Sequence, residues 1–196
     1  MTIEPSTCPR AQSDIDFRAP RVGDAAAVWR LAGRCGSLDQ NSPYAYLLVC
    51  THFAATSVVA VRDGEVVAFA AAYRPPTEPG ALFVWQVAVD EGVRRRGVGR
   101  AVLQALLERP ASADARHLEA TVTPSNQASQ RLFRSLASDN RAPCHVSLMF
   151  PPSAFPAGRH EAELLFRIGP LPRRPPHTAA PAAPGGEAPS PLENPP

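Results

Sequence analysis

Residues 81–109 read ALFVWQVAVDEGVRRRGVGRAVLQALLER, and no other stretch narrows the possible folds so far. The apolar run Ala81–Val89, bounded by PTEPG before and Asp90 after, predicts a strand. Val98, Val102, Leu103, Leu106 and Leu107 recur at helical spacing and the pattern stops before Pro110, so a helix follows at once. Between the two, Arg94–Arg100 packs four arginines and two glycines into seven residues. Gly97 and Gly99 leave successive backbone N–H groups uncovered at a helix N-terminus, where free donors and the helix dipole favour an anion. The arginines add charge and bidentate donors suited to phosphate oxygens. The spacing is neither the G-x-G-x-x-G of a dinucleotide fold nor the G-x-x-x-x-G-K-[ST] of a P-loop. A pyrophosphate fits such a turn; a solvated basic turn that merely caps the helix has the same composition.

The rest of the chain supplies the sheet that this unit must join. IDFRAP (15–20) predicts a short opening strand, and DAAAVWRLAGRCG a helix capped by Asp24 and stopped at Gly36, with Val28, Leu31 and Ala32 on one face. YAYLLVCTHF is short, apolar and proline-free, and predicts a second helix. TSVVAVRDGEVVAFAAAYRPP holds two apolar runs split by Asp63-Gly64, a hairpin signal that requires antiparallel pairing. RHLEATVT predicts a strand, SNQASQRLFRSLA a helix opening on Ser125 or Asn126, and CHVSLMF and AELLFRIG two closing strands. The order β-α-α-β-β-β-α-β-α-β-β predicts an α/β single domain with a mixed central sheet flanked by helices.

Of 196 residues 44% are apolar, enough for one hydrophobic core. Residues 1–14 are polar, lack the apolar stretch of a secretory signal and predict a disordered N-terminus. Residues 173–196, RRPPHTAAPAAPGGEAPSPLENPP, have no apolar periodicity and predict a disordered tail, which leaves 15–172 as the folded domain. No run approaches the ~18 apolar residues of a membrane span, so a soluble protein is expected. Cys8, Cys35, Cys50 and Cys144 lie far apart with no C-x-x-C spacing, as suits unpaired thiols in a reducing cytoplasm and argues against a metal site. The net charge is only +2, and all twenty basic residues are arginine, so no nucleic-acid partner is required.

Arg94-x-x-Gly97-x-Gly99, after a strand and opening a helix, resembles the acetyl-coenzyme A signature of the GNAT family of N-acetyltransferases. LDQNSPYAYLLVCTHF, AAAYRPPTEP, LFVWQVAV, LEATVTPSNQASQRLF and HEAELLFRIGP are similar more narrowly to the L-2,4-diaminobutyrate acetyltransferases of ectoine synthesis, over nearly the whole folded part. The resemblance implies the GNAT fold, acetyl-CoA as co-substrate, L-2,4-diaminobutyrate as the small-molecule acceptor, and a homodimer. It implies that the backbone of Val87 and Val89 pairs with the cofactor's pantetheine arm like an added strand. Arg94, Arg95, Arg96, Gly97, Val98, Gly99 and Arg100 would surround the pyrophosphate, with glycine letting the backbone come close, and Asn126 would also touch the cofactor. Many members carry a tyrosine that protonates the departing thiolate, where this chain has Phe133.

Transfer to an alkyl ammonium needs a base, because at a pKa of ~10.4 only about one molecule in 2,500 is neutral at pH 7. Glu119, on an otherwise apolar strand, is the leading candidate if it points inward; strand alternation turning it to solvent is the alternative. His160 precedes a closing strand, where it either relays a proton or binds the substrate carboxylate, or else is structural. Asp39, in a loop with Asn41 and Tyr44, is placed to hold an ammonium, and equally to form an Asx turn. Trp85, two residues before Val87, would wall a small pocket or sit in the core. Arg74 is a candidate for a substrate carboxylate. Another small amine as acceptor, or a non-catalytic CoA-binding module, would keep the same fold signals.

Overall fold

The computed structural model of the chain describes residues 14–36, 40–156 and 160–172. Of the expected disordered segments, 1–14 and 173–196, residues 1–13 and all of 173–196 lie outside the described residues, as does the candidate Asp39. The elements run β1 (Asp16–Arg18), α1 (Ala25–Arg34), α2 (Pro43–His52), β2 (Val58–Arg62), β3 (Glu65–Tyr73), β4 (Ala81–Val89), α3 (Val98–Leu107), β5 (His117–Val122), α4 (Gln127–Asp139), β6 (Cys144–Phe150) and β7 (Glu163–Ile168). This is the expected order. The strands form one sheet in the order β1-β2-β3-β4-β5-β7-β6, in which β4 and β5 run parallel and the other pairs antiparallel.

Local chemistry accounts for most of these boundaries. Asp63 (φ 52°) and Gly64 (φ 80°) are both left-handed, the conformation a two-residue hairpin turn requires, and they join β2 to β3. Ser42 accepts a hydrogen bond from Ala45 N–H, and Pro43 occupies the first helical position, so α2 starts one residue before the expected Tyr44. Asp24 does not cap α1 as expected. Its carboxylate accepts from both terminal nitrogens of Arg18 (2.7 and 2.9 Å) and from Arg21 N–H (2.7 Å), closing a short 3-10 turn, Val22–Asp24, ahead of the helix. A charged fork outcompetes the weaker cap.

Two cores lie on the two faces of the sheet. Val28, Leu31 and Ala32 of α1 pack with Tyr46, Val49 and Cys50 of α2 on Val59, Phe69, Ala71 and Ala88. On the other face Val98, Val102, Leu103, Leu106 and Leu107 of α3 and Phe133 and Leu136 of α4 cover Leu82, Val84, Leu118, Ala120 and Phe166. Burying each large aliphatic side chain here stabilises the fold by roughly 1.5–3 kcal/mol. The alanines of β3, three on one face and one on the other, let helices pack closely from both sides.

One irregularity positions everything that follows. The β3–β4 register passes from Ala71↔Gln86 to Ala72↔Val84, so β4 carries an extra residue, Trp85. Leu82 and Val84 therefore share a face with Val87 and Val89, and the period of two skips a beat between them. Beyond this bulge β4 leaves its parallel partner: the β4–β5 pairing ends at Val84↔Ala120, although β4 continues to Val89 and β5 to Val122.

Candidate active site

Where β4 and β5 part there is a cleft of about 450 Å³ whose walls include Trp85, Gln86, Val87, Thr121, Asn126, Phe133 and His160. Asp90 N–H donates to Val67 O in the β3–β4 ladder, so alternate residues, Val87 and Val89, turn their N–H and C=O groups the other way, into the gap. Val89 O already accepts from Arg94 Nε at 3.0 Å. The strand edge left for an extended ligand is thus Val87 N–H, Val87 C=O and Val89 N–H, a short template for strand-like addition.

At one end of this edge the chain turns through Arg94–Gly97 into α3. Gly97 is left-handed (φ 79°), as is Arg95 (φ 61°), and no side chain caps α3, so the N–H groups of its first turn remain for an anion. Gly99 has a packing task in the fold. A Cβ there would meet Val89 Cγ2 at 3.3 Å and Leu132 at 3.6 Å, so its bareness lets α3 sit against β4 and α4. Across the gap Asn126 caps α4, its side chain accepting from Ser129 N–H at 3.1 Å, and Asn126, Ser129 and Phe133 present one helix face to the cleft. Phe133 is buried against Phe166.

The cleft also has polar walls. Asn41, Thr121, Thr123, His160 and Glu163 line it, together with Trp85 and Gly36. Trp85 is 40% exposed and belongs to neither core, which decides between wall and core in favour of the wall. The His160 ring stacks on Phe155 at 4.0 Å, and Nδ1 lies 2.7 Å from Glu161 O. A carbonyl oxygen only accepts, so Nδ1 carries a proton and Nε2, 3.7 Å from Glu163 Oε1, is the nitrogen left to exchange one. Glu161 in turn accepts from Ser125 N–H (3.1 Å) and the Ser125 hydroxyl, fixing this segment to the start of α4.

Residues 26–137 match the Acetyltransferase (GNAT) family. The chain belongs to this family. Among curated relatives, an L-2,4-diaminobutyric acid acetyltransferase of Shouchella clausii is 48% identical over 152 residues, covering 78% of this chain and 85% of its own. Another, of Streptomyces coelicolor, is 47% identical over 164 residues, covering 82% and 96%. Among solved structures, the diaminobutyrate acetyltransferase of Paenibacillus lautus, in complex with its substrate L-2,4-diaminobutyric acid and coenzyme A, superposes with a TM-score of 0.77 at 43% identity over 80% of this chain and 95% of that one. Ard1 of Thermoplasma volcanium, at 20% identity and a TM-score of 0.65, shares the fold.

Not every expected residue of this acetyltransferase meets the cleft. Glu119 points inward, 6% exposed, but is not among the lining residues: Arg167 Nη1 holds its carboxylate at 2.8 Å, and Arg167 also reaches Glu78 and His117. Arg74 is spent on Ala111 O, Pro79 O and Asp114, clamping the β3–β4 loop. Tyr44 is 66% exposed on α2 and does not line the cleft. Arg100 pairs with Asp139 of α4, Val98 is a core residue, and Arg95 and Arg96 stay exposed at the turn.

Gln86, Thr121, Thr123, Ser129 and Glu163 line the cleft without having been singled out. Gln86 had a signal, as the one polar residue inside LFVWQVAV; it is 6% exposed and accepts from the Tyr46 hydroxyl at 3.1 Å. Glu163 had none beyond lying three residues after His160.

Proposed function

We propose that the enzyme transfers the acetyl group of acetyl-CoA to the 4-amino group of L-2,4-diaminobutyrate, a step in ectoine synthesis. The observation that carries this reading is a cleft walled by a strand edge and a carboxylate–imidazole pair, with an uncapped helix turn following that strand. The relatives at 43–48% identity support the choice of acceptor.

The cofactor's parts find matching groups: Val87 and Val89 for an amide-bearing arm, the Arg95–Gly97 part of the turn and the first turn of α3 for a pyrophosphate, and Asn126 at the head of α4. Bound acetyl-CoA supplies a thioester carbonyl open to attack by an amine. Val87 N–H, in the gap, is the donor available to a carbonyl oxygen that takes up negative charge. The ammonium must lose a proton first, at a cost of roughly 4–5 kcal/mol at pH 7. His160 Nε2 accepts that proton, Glu163 stabilises the resulting imidazolium from 3.7 Å, and Glu161 O keeps Nδ1 protonated and the ring oriented. Asn41, Thr121 and Thr123 offer uncharged groups to the substrate's amino-acid end, and Trp85 limits its length. Phe133 carries no proton to give, so the thiolate leaves as the anion or takes its proton from the amine or from water. Glu119 acts through Arg167 as a structural partner of β7.

Cytoplasmic location follows from this reading, and it is supported by Cys35, Cys50 and Cys144 standing as thiols rather than in disulfides; no helix among the described residues is long and apolar enough to cross a membrane. A homodimer is supported by β6, an edge strand on which Val146, Leu148, Met149 and Phe150 are 41–59% exposed. The function is tested by thiol release from acetyl-CoA with L-2,4-diaminobutyrate, ornithine and lysine. A kcat/KM for diaminobutyrate at least 100-fold above the others supports it; equal values, or a better rate with lysine, sink it.

A further inference from the structure

Arg94 opens the signature turn, yet its bonds point away from any phosphate. Nε donates to Val89 O at 3.0 Å, Nη1 to Glu91 Oε1 at 3.1 Å, and Nη2 lies 3.6 Å from Cys35 Sγ. Cys35, buried at the C-terminal end of α1, is itself 3.6 Å from the same Val89 O, and its neighbour Arg34 reaches Asp90 at 3.3 Å. The residue after Cys35 is Gly36, which lines the cleft as Asn41, His160 and Glu163 do. One guanidinium thus joins three things: the turn on which the pyrophosphate would rest, the carbonyl that closes the cofactor edge of β4, and the end of the helix that leads into the acceptor wall.

We propose that Arg94 is a positioning residue that couples the two halves of the cleft, so that cofactor on the turn tightens the acceptor wall. The turn holds two left-handed residues, Arg95 and Gly97, a shape strained at the non-glycine position and best maintained when an anion engages its N–H groups. Fixing that shape fixes the Arg94 side chain on Val89 O and Cys35, and with it Gly36. Arginine suits the task because its fork serves three acceptors in separate directions, which a lysine ammonium cannot do. Linkage then requires each ligand to raise the affinity for the other by the same factor. The idea rests on the reading of the cleft as an acetyl-CoA and diaminobutyrate site, but its first test needs only the cofactor.

The full-length protein is treated with iodoacetamide with and without acetyl-CoA, and alkylation of Cys35 is followed by peptide mass spectrometry, with Cys144 as internal reference. Acetyl-CoA should slow Cys35 alkylation about tenfold in the wild type and less than twofold in Arg94→Gln, while Arg94→Gln still binds acetyl-CoA within threefold of wild type by calorimetry. Arg94→Lys should behave like Arg94→Gln. Loss of acetyl-CoA binding by thirtyfold or more in Arg94→Gln would make Arg94 a phosphate ligand and overturn the proposal. So would unchanged Cys35 protection in either variant, or no protection in the wild type. A second calorimetric series measures diaminobutyrate binding with and without the non-reactive analogue desulfo-CoA, and the ratio of the two Kd values should fall to about 1 in Arg94→Gln. If diaminobutyrate does not bind the wild type at all, the substrate reading fails while the Cys35 result stands.

Discussion

Glu119→Gln separates a base from a structural carboxylate. The carboxylate is 6% exposed and accepts from Arg167 Nη1 at 2.8 Å, while Arg167 keeps bonds to Glu78 and the His117 ring and is itself about one-third exposed. The amide preserves the volume and can still accept from the guanidinium, so the loss is that of one partly desolvated charge interaction, about 1–3 kcal/mol. For a domain of this size that lowers Tm by roughly 2–12 °C, at about 2–4 °C per kcal/mol. Turnover should change little, less than about tenfold, because the cleft-lining residues stay in place. Thermal unfolding by circular dichroism and thiol release from acetyl-CoA are run on the same sample. An unchanged Tm with kcat reduced about 100-fold or more, the scale of a lost general base, would refute this reasoning and return the proton transfer to Glu119.

Glu163→Gln should lower kcat by about 10²-fold or more while the KM for acetyl-CoA shifts less than threefold in steady-state assays; a kcat within threefold of wild type would remove the His160–Glu163 pair from the mechanism. Burial and the Arg167 charge hold His117 below the usual histidine pKa, so the folded state takes up its proton later than the unfolded chain. The contribution of His117 is therefore complete above about pH 6.5 and is lost as pH falls below it; denaturant melts at pH 7.5 and 5.5 should show a smaller pH difference for His117→Asn than for wild type. Leu106→Ala, which deletes a fully buried side chain of α3, should cost about 2–5 kcal/mol in urea unfolding, with no change in m; a loss below 1 kcal/mol would contradict the core assignment.

Elements whose causes are local were legible in the chain. Asp63-Gly64 fixes the hairpin, Ala81–Val89 and Cys144–Phe150 are strands at the expected bounds, and Asn126 caps α4. What escaped sequence reading depends on partners far away in the chain. The bulge at Trp85 has no local signature, and it decides both which residues face the gap and where β4 leaves β5. Glu119 points inward rather than being turned to solvent by strand alternation, but Arg167, 48 residues on, claims it, while Glu163 enters the cleft at the start of β7. Asp24 looked like a cap because a cap is the commonest use of such a residue; the fork of Arg18 was the stronger competitor. The arginines of the signature turn are alike in sequence, and distant partners give two of them separate tasks: Arg94 reaches Val89 O on β4 and Arg100 pairs with Asp139 of α4.

The most direct test of the whole account is the position of the new acetyl group. Purified enzyme, acetyl-CoA and L-2,4-diaminobutyrate are incubated and the product is resolved by proton–carbon correlation NMR. The account predicts a single product with the amide on the 4-nitrogen. Acetyl on the 2-nitrogen, or a mixture of the two, would contradict the assignment of the polar walls of the cleft to the amino-acid end of the substrate.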